Sequence, residues 1–222
     1  MKSKKSLVIG VALLCLLGIL LSSCDIFATP EPIVTPTIEP TQEPIPTPTP
    51  VPLFKTDSFE YLKHEDHIEL VKYIGTDLFV TMPDYIDFLP VTHIGDEAFA
   101  GTNVTYVDLG PNVTTLGERV FMGCASLSSI GVKDKLETVG KEAFKDCILL
   151  GGISFSAAPL TTIGEGAFSG CTSFTSITIT GSVTEIGENA FLNCSTALTI
   201  YAPSGSYGET YAVENFIRYS SN

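Results

Sequence analysis

The sequence predicts a β-rich repeat solenoid with a period of about 23 residues, closed by a cap at each end. Three observations predict it. A six-residue box recurs five times, as Ile94–Phe99, Leu116–Phe121, Val139–Phe144, Ile163–Phe168 and Ile186–Phe191, always with glycine second and phenylalanine last. The phenylalanines stand 22, 23, 24 and 23 residues apart. Between boxes the apolar spacing repeats as well: Leu127, Ile130 and Val132 match Leu150, Ile153 and Phe155, then Phe174, Ile177 and Ile179. A unit this short cannot bury its own apolar face, whereas stacked copies can.

The elements follow in chain order. Residues 1–23 read as an export signal. Lys2, Lys4 and Lys5 precede an apolar run from Leu7 to Leu21, 15 residues long. That run is shorter than the roughly 20 residues a bilayer-spanning helix needs. Leu21-Ser22-Ser23-Cys24 resembles a bacterial lipobox, which implies cleavage before Cys24 and diacylglycerol on its thiol. The chain would then meet the membrane through lipid at Cys24, with residues 24–27 as the lipidated N-terminus. Asp25 resembles an inner-membrane retention signal of diderm bacteria.

Residues 28–52 hold nine of the 14 prolines and six threonines. Proline lacks the amide donor a ladder needs, so the segment reads as an extended tether. At about 3.1 Å per residue it spans at most about 75 Å. Such Thr-Pro tethers resemble those of monoderm firmicutes, so the two envelope readings stay open.

The globular part divides into an N-terminal cap (53–92), the repeats (93–200) and a C-terminal cap (201–222). Phe59–Leu62 and Ile68–Val71 are strand-like runs that predict a hairpin. In each repeat, alternation such as Ile177-Thr178-Ile179 predicts a strand, and the box glycine admits a turn. The Ala-Phe pair then reads as a single helical turn. Ser204–Asn215 looks like a capping helix and Phe216–Tyr219 like a last strand. Both ends need covering, because an open end exposes core and strand edge.

The boxes, their period and the cysteine three residues after each of the last four phenylalanines resemble the BspA-like leucine-rich repeats of bacterial surface proteins. The resemblance covers about residues 57–219. It implies a surface lipoprotein that acts as a non-catalytic binding or adhesion module for protein or polysaccharide ligands. The alternative is a structural envelope protein that binds a component of its own cell.

Charge narrows the partners. The chain carries 12 bases and 25 acids, and residues 1–24 contain three of the bases and none of the acids. The exported part therefore has a formal charge of −16. Nucleic-acid binding needs clustered Lys and Arg and is excluded on this ground.

The candidate chemical groups are few, and neither a cofactor nor a catalytic residue is expected. Cys124, Cys147, Cys171 and Cys194 occupy matched positions, so their side chains would stack along the solenoid. The spacing contains no C-x2-C pair of a zinc site. Rungs about 5 Å apart permit a disulfide by distance. Parallel side chains suit buried thiols better than the bent disulfide dihedral. His64-Glu65-Asp66-His67 lacks the helical zinc spacing and reads as the polar tip of the N-terminal hairpin, and His93 reads as outward beside the first repeat. The outward strand positions are the expected ligand face: Thr105, Tyr106 and Asp108, Ser128 and Ser129, Ser154, and Thr175, Ser176 and Thr178. The residue types make it flat and hydroxyl-rich.

Overall fold

A computed structural model describes residues 52–222. The expectations for the signal, Cys24 and the tether up to residue 51 lie outside the described residues.

The chain enters through an antiparallel unit, β1 (Leu53–Lys55), β2 (Phe59–Lys63) and β3 (Ile68–Tyr73). Thr56 builds the first turn: its Oγ1 accepts from the Phe59 amide at 2.9 Å. The second turn holds the histidine segment, where the His64 amide donates to the His67 carbonyl at 3.0 Å. After β4 (Phe79–Thr81), a hairpin joins β5 (Tyr85–Ile86) to β6 (Leu89–Ile94). Its two turn residues, Asp87 and Phe88, both have positive φ, at 51° and 65°. That is the backbone of a two-residue turn matched to strand twist.

From β6 onward every coil contributes two strands. One ladder contains β6, β8 (Thr115–Leu116), β10 (Thr138–Val139), β12 (Thr162–Ile163) and β14 (Glu185–Ile186), all parallel. It joins the entry unit because β3 pairs in parallel with β6. The other ladder is in two pieces. β4, β7 (Tyr106–Asp108) and β9 (Ser129–Gly131) form the first. β11 (Gly152–Ser154), β13 (Ser176–Thr178), β15 (Thr199–Ala202) and β16 (Arg218–Ser221) form the second. The break adjoins the one long repeat: five positions separate Phe155 from Leu160, where four separate Leu109 from Val113. Ala158, buried at 3% exposure, takes up the extra residue.

The Ala-Phe segment differs from expectation. It forms consecutive hydrogen-bonded turns and no helix. Glu97, Arg119, Glu142, Gly166 and Asn189, one per repeat, have φ between 51° and 59°. These left-handed residues aim alternate amides along the solenoid axis. The Phe99 amide donates to the Val120 carbonyl at 2.9 Å and the Phe121 amide to the Ala143 carbonyl at 2.7 Å. The turns thus pass their donors to the next coil, where a helix would have used them internally.

The box glycines have a second role. A Cβ on Gly140 would lie 2.5 Å from the Gly117 carbonyl oxygen, so adjacent coils touch backbone to backbone there. Inside, the box phenylalanines stack. Ring centroids are 5.2 Å apart for Phe99–Phe121, Phe121–Phe144 and Phe144–Phe168, and 5.5 Å for Phe168–Phe191. Tyr73 extends the stack at one end, 4.9 Å from Phe99. No polar or charged side chain is buried among the described residues.

The exit is closed by α1 (Tyr207–Glu214). Ser206 caps it, accepting from the Glu209 amide, while Glu209 Oε2 accepts from the Gly205 amide. The helix lays Tyr211 and Ala212 into the core, and the chain then adds β16 beside β15.

Candidate functional site

The second ladder presents two outward rows. One runs Phe79, Tyr106, Ser129, and past the break Gly152, Ser176, Thr199, Arg218. The other runs Thr81, Asp108, Gly131, then Ser154, Thr178, Tyr201, Ser220. Val80, Val107, Ile130, Ile153, Ile177 and Ile200 lie between them and point into the core. Strand alternation therefore places Tyr106, Asp108, Ser129, Ser154, Ser176 and Thr178 on one surface, while Thr105, Ser128 and Thr175 stand just before their strands, outside the two rows.

Their hydrogen bonds divide them into two groups. Thr105 Oγ1 donates to the Leu78 carbonyl at 3.0 Å, Ser128 Oγ to the Thr105 carbonyl at 3.1 Å, and Thr175 Oγ1 to the Gly151 carbonyl at 3.1 Å. These three hydroxyls tie each coil to the one before it. The opposite ladder repeats the device with Thr114 on the Thr92 carbonyl and Thr161 on the Glu137 carbonyl. Asp108 is occupied too, by Lys133 Nζ at 2.9 Å and by the Gly110 amide at 3.2 Å. Ser154 Oγ donates to Ser156 Oγ. The side-chain hydroxyls of Tyr106, Ser129, Ser176 and Thr178 have no hydrogen-bond partner among the described residues, so they are the polar groups left for a ligand.

Sequence reasoning missed six members of this face, Thr81, Thr199 and Ser220 among them, and the other three are large side chains. Phe79 is 73% exposed beside Tyr106, and Tyr201 and Arg218 stand at the far end. Phe79 escaped because it precedes the first box, outside the repeating pattern. Tyr201 and Arg218 follow the last box. The strand-to-strand register reveals all six.

The cysteines form a regular series. Each thiol donates to the carbonyl of a phenylalanine one coil back: Cys124 to Phe99 at 3.0 Å, Cys147 to Phe121 at 3.1 Å, Cys171 to Phe144 at 2.9 Å and Cys194 to Phe168 at 3.1 Å. All four are free thiols. Burial pushes the thiols of Cys171 and Cys194 up to about 12 and that of Cys147 higher still. A thiol held protonated by desolvation is a poor nucleophile and a poor metal ligand.

All three histidines meet at the edge of the N-terminal cap. The His64 and His67 rings stack at 4.4 Å, and His93 lies 4.7 Å from His67. His64 Nε2 is 3.2 Å from Glu69 Oε2, His67 Nδ1 is 2.7 Å from Asp66 Oδ1, and His93 Nδ1 is 2.7 Å from Thr92 Oγ1. His64 and His67 are tilted by only 8°. Their nitrogen lone pairs lie in two nearly parallel planes, and no group of His, Cys, Asp and Glu among the described residues converges to hold a metal ion.

A family model for the BspA type leucine rich repeat region matches residues 91–215 in six copies. The chain belongs to the BspA-type leucine-rich-repeat family. The match runs past the fifth box and into α1. Among solved structures, the chain resembles the leucine-rich-repeat protein of T. pallidum, TpLRR, at 33% identity and a TM-score of 0.63, over 67% of this chain and 70% of that one. A leucine-rich-repeat protein from Bacteroides capillosus is 25% identical over 68% of this chain and 99% of that one, at a TM-score of 0.46. The pneumococcal vaccine antigen PcpA, at 14% identity and a TM-score of 0.53, shares the fold over 77% of this chain and 47% of its own. No curated protein matches the sequence. BspA-type repeats belong to surface-associated proteins. Among the described residues no helix is long and apolar enough to cross a membrane.

Proposed function

We propose that this BspA-type protein is a lipoprotein displayed at the cell surface, whose solenoid binds protein or glycan ligands without catalysis. Lipid on Cys24 anchors it, and residues 28–52 hold the solenoid away from the bilayer. The observation that carries the binding role is the outward face of the second ladder. It offers the unpaired hydroxyls of Tyr106, Ser129, Ser176 and Thr178 and the aromatic rings of Phe79 and Tyr201 at fixed strand spacing. A rigid surface of this kind sums many weak contacts without an ordering cost.

The test is a binding assay of residues 52–222, which contain the whole described core and both caps, against matrix proteins, mucin and the producer's wall polysaccharide. Saturable binding to a matrix protein or mucin, abolished by Thr178→Arg, is the expected result. Binding confined to the producer's own wall material would replace the adhesin reading with a structural envelope role. Metabolic labelling with a radioactive fatty acid tests the anchor, since Cys24→Ser must abolish incorporation.

A further inference from the structure

We propose that the outer edge of β4 docks an extended, basic peptide segment of a partner protein, which adds to the sheet as one more strand. This rests on the reading of the domain as a binding module, and it concerns the open backbone edge of the strand whose Phe79 and Thr81 side chains begin the two outward rows.

The backbone geometry sets the edge. The Tyr106 amide donates to the Leu78 carbonyl at 3.2 Å, and the Met82 amide donates to the Asp108 carbonyl at 2.9 Å. Residues on either side of β4 thus turn their ladder groups towards β7. In a parallel pair the facing groups alternate along the strand, so the amide and carbonyl of Phe79 and of Thr81 face the opposite way. β7 is the only strand paired with β4. Those four groups have no other backbone partner among the described residues. They are arranged at the spacing that a peptide strand matches.

The ends at the break, β9 and β11, lie against each other, and the remaining ends are finished differently. α1 packs against β14, the last strand of the long ladder. β15 is covered by β16, whose first residue is the exposed Arg218. β1 is flanked by Pro52 and ends on Lys55, and both residue types discourage further pairing. β4 reads Phe-Val-Thr, with neither charge nor proline. Phe79 is 73% exposed on it. An unguarded apolar edge is a liability that folds normally suppress, which argues that this one is used.

Two further features set the chemistry of the occupant. A cleft of about 470 Å³ adjoins Thr81, with apolar walls from Phe59, Pro83, Tyr85 and Ile86. It can take an alternate side chain of an added strand. Asp57 lines the same cleft, and Asp77 and Asp84 flank β4 in the chain. None of these three carboxylates has an ion-pair partner among the described residues. Opposite charge on the incoming strand complements them.

The experiment is amide hydrogen exchange by NMR on residues 52–222, with the hexapeptide Lys-Val-Lys-Val-Lys-Val as probe and Glu-Val-Glu-Val-Glu-Val as control. The basic peptide is expected to slow exchange at Phe79 and Thr81 at least about tenfold at saturation, the scale of one retained hydrogen bond. Thr81→Pro deletes an outward donor while leaving the β7 ladder its own bonds, and is expected to weaken the peptide about tenfold. Thr81→Val keeps the amide and is expected to bind normally. Unchanged exchange at both residues would overturn the proposal whether or not Thr81→Pro folds. Equal binding of the acidic peptide would overturn its charge assignment. Protection that rises with protein concentration before peptide is added would assign the edge to a second copy. Thr178→Arg must leave peptide binding intact, which separates failure here from failure of the face described above.

Discussion

Tyr211 closes the phenylalanine stack edge-on: its ring centroid lies 5.9 Å from that of Phe191, at an interplanar angle of 70°. The two pairs before it are close to parallel, at 2° for Phe144–Phe168 and 4° for Phe168–Phe191. A parallel ring would offer a further face to the next coil. A perpendicular ring ends the series, because helix α1 carries it across the axis. The same turn of geometry converts an open-ended repeat into a finite one.

Phe144 sits at the centre of that stack, 5.2 Å from both Phe121 and Phe168. It is fully buried. Phe144→Ala removes the ring from two interfaces at once and is expected to cost about 3–5 kcal/mol. Denaturant unfolding of residues 52–222 measures this. An unchanged midpoint would mean that the stack contributes nothing to the cooperative unit.

Gly140 provides a test of backbone contact between coils. A methyl group there would meet the Gly117 carbonyl oxygen at 2.5 Å and its carbon at 2.6 Å, neither of which is the end of a flexible side chain. Gly140→Ala must push two coils apart. Overpacking of this kind typically costs about 1–3 kcal/mol. Gly151→Ala is the control, because nothing lies within 4 Å of a Cβ at that position. Thermal melts of the two variants are expected to separate clearly, and equal melts would refute the close approach.

Much of the fold was legible because the repeat is a strong signal. Box spacing located the five coils that carry a box, and alternation around Ile177 and its equivalents identified the inward residues; the coil of β4 precedes the first box and was not located. The turn conformation was not legible. Glu97, Arg119 and Glu142 give no sign of positive φ in their residue types, and only the neighbouring coil, which takes their amides, imposes it. The face proposed for a ligand was legible in outline, since alternation gives direction. It could not show that Thr105, Ser128 and Thr175 are bound to the preceding coil, because those bonds join residues 27, 23 and 24 positions apart. The histidine stack was hidden for the same reason: His93 reaches His67 through the pairing of β3 with β6.

The cysteine series predicts chemical silence. Cys124, Cys147 and Cys171 are buried, and all four thiols donate to main-chain carbonyls. Desolvation holds them protonated at neutral pH. Folded residues 52–222 are expected to react slowly with an aromatic disulfide reagent and to release four equivalents once unfolded. Cys171→Ala is expected to cost about 0.5–1.5 kcal/mol, because the Phe144 carbonyl loses the thiol but keeps its bond from the Cys147 amide. Rapid reaction of the folded protein would show that the coils open locally.

His93 predicts how the N-terminal cap responds to acid. Burial holds its imidazole below the ordinary histidine range, and the charge of His67, stacked 4.7 Å away, adds to the effect. Glu69 and Asp66 pull in the other direction without reversing it. Below pH 6.5 the unfolded chain therefore binds a proton that the folded chain resists. Stability from this group is complete above that value and falls as pH drops towards the folded-state value. Asp66, held low by its bond to His67, loses its own contribution only at far more acidic pH. The melting temperature is expected to fall as pH drops below 6.5, with amides of β3 and β6 exchanging first. His93→Gln cannot take up the proton and is expected to flatten this dependence. A variant that keeps the full pH slope would place its origin elsewhere in the chain.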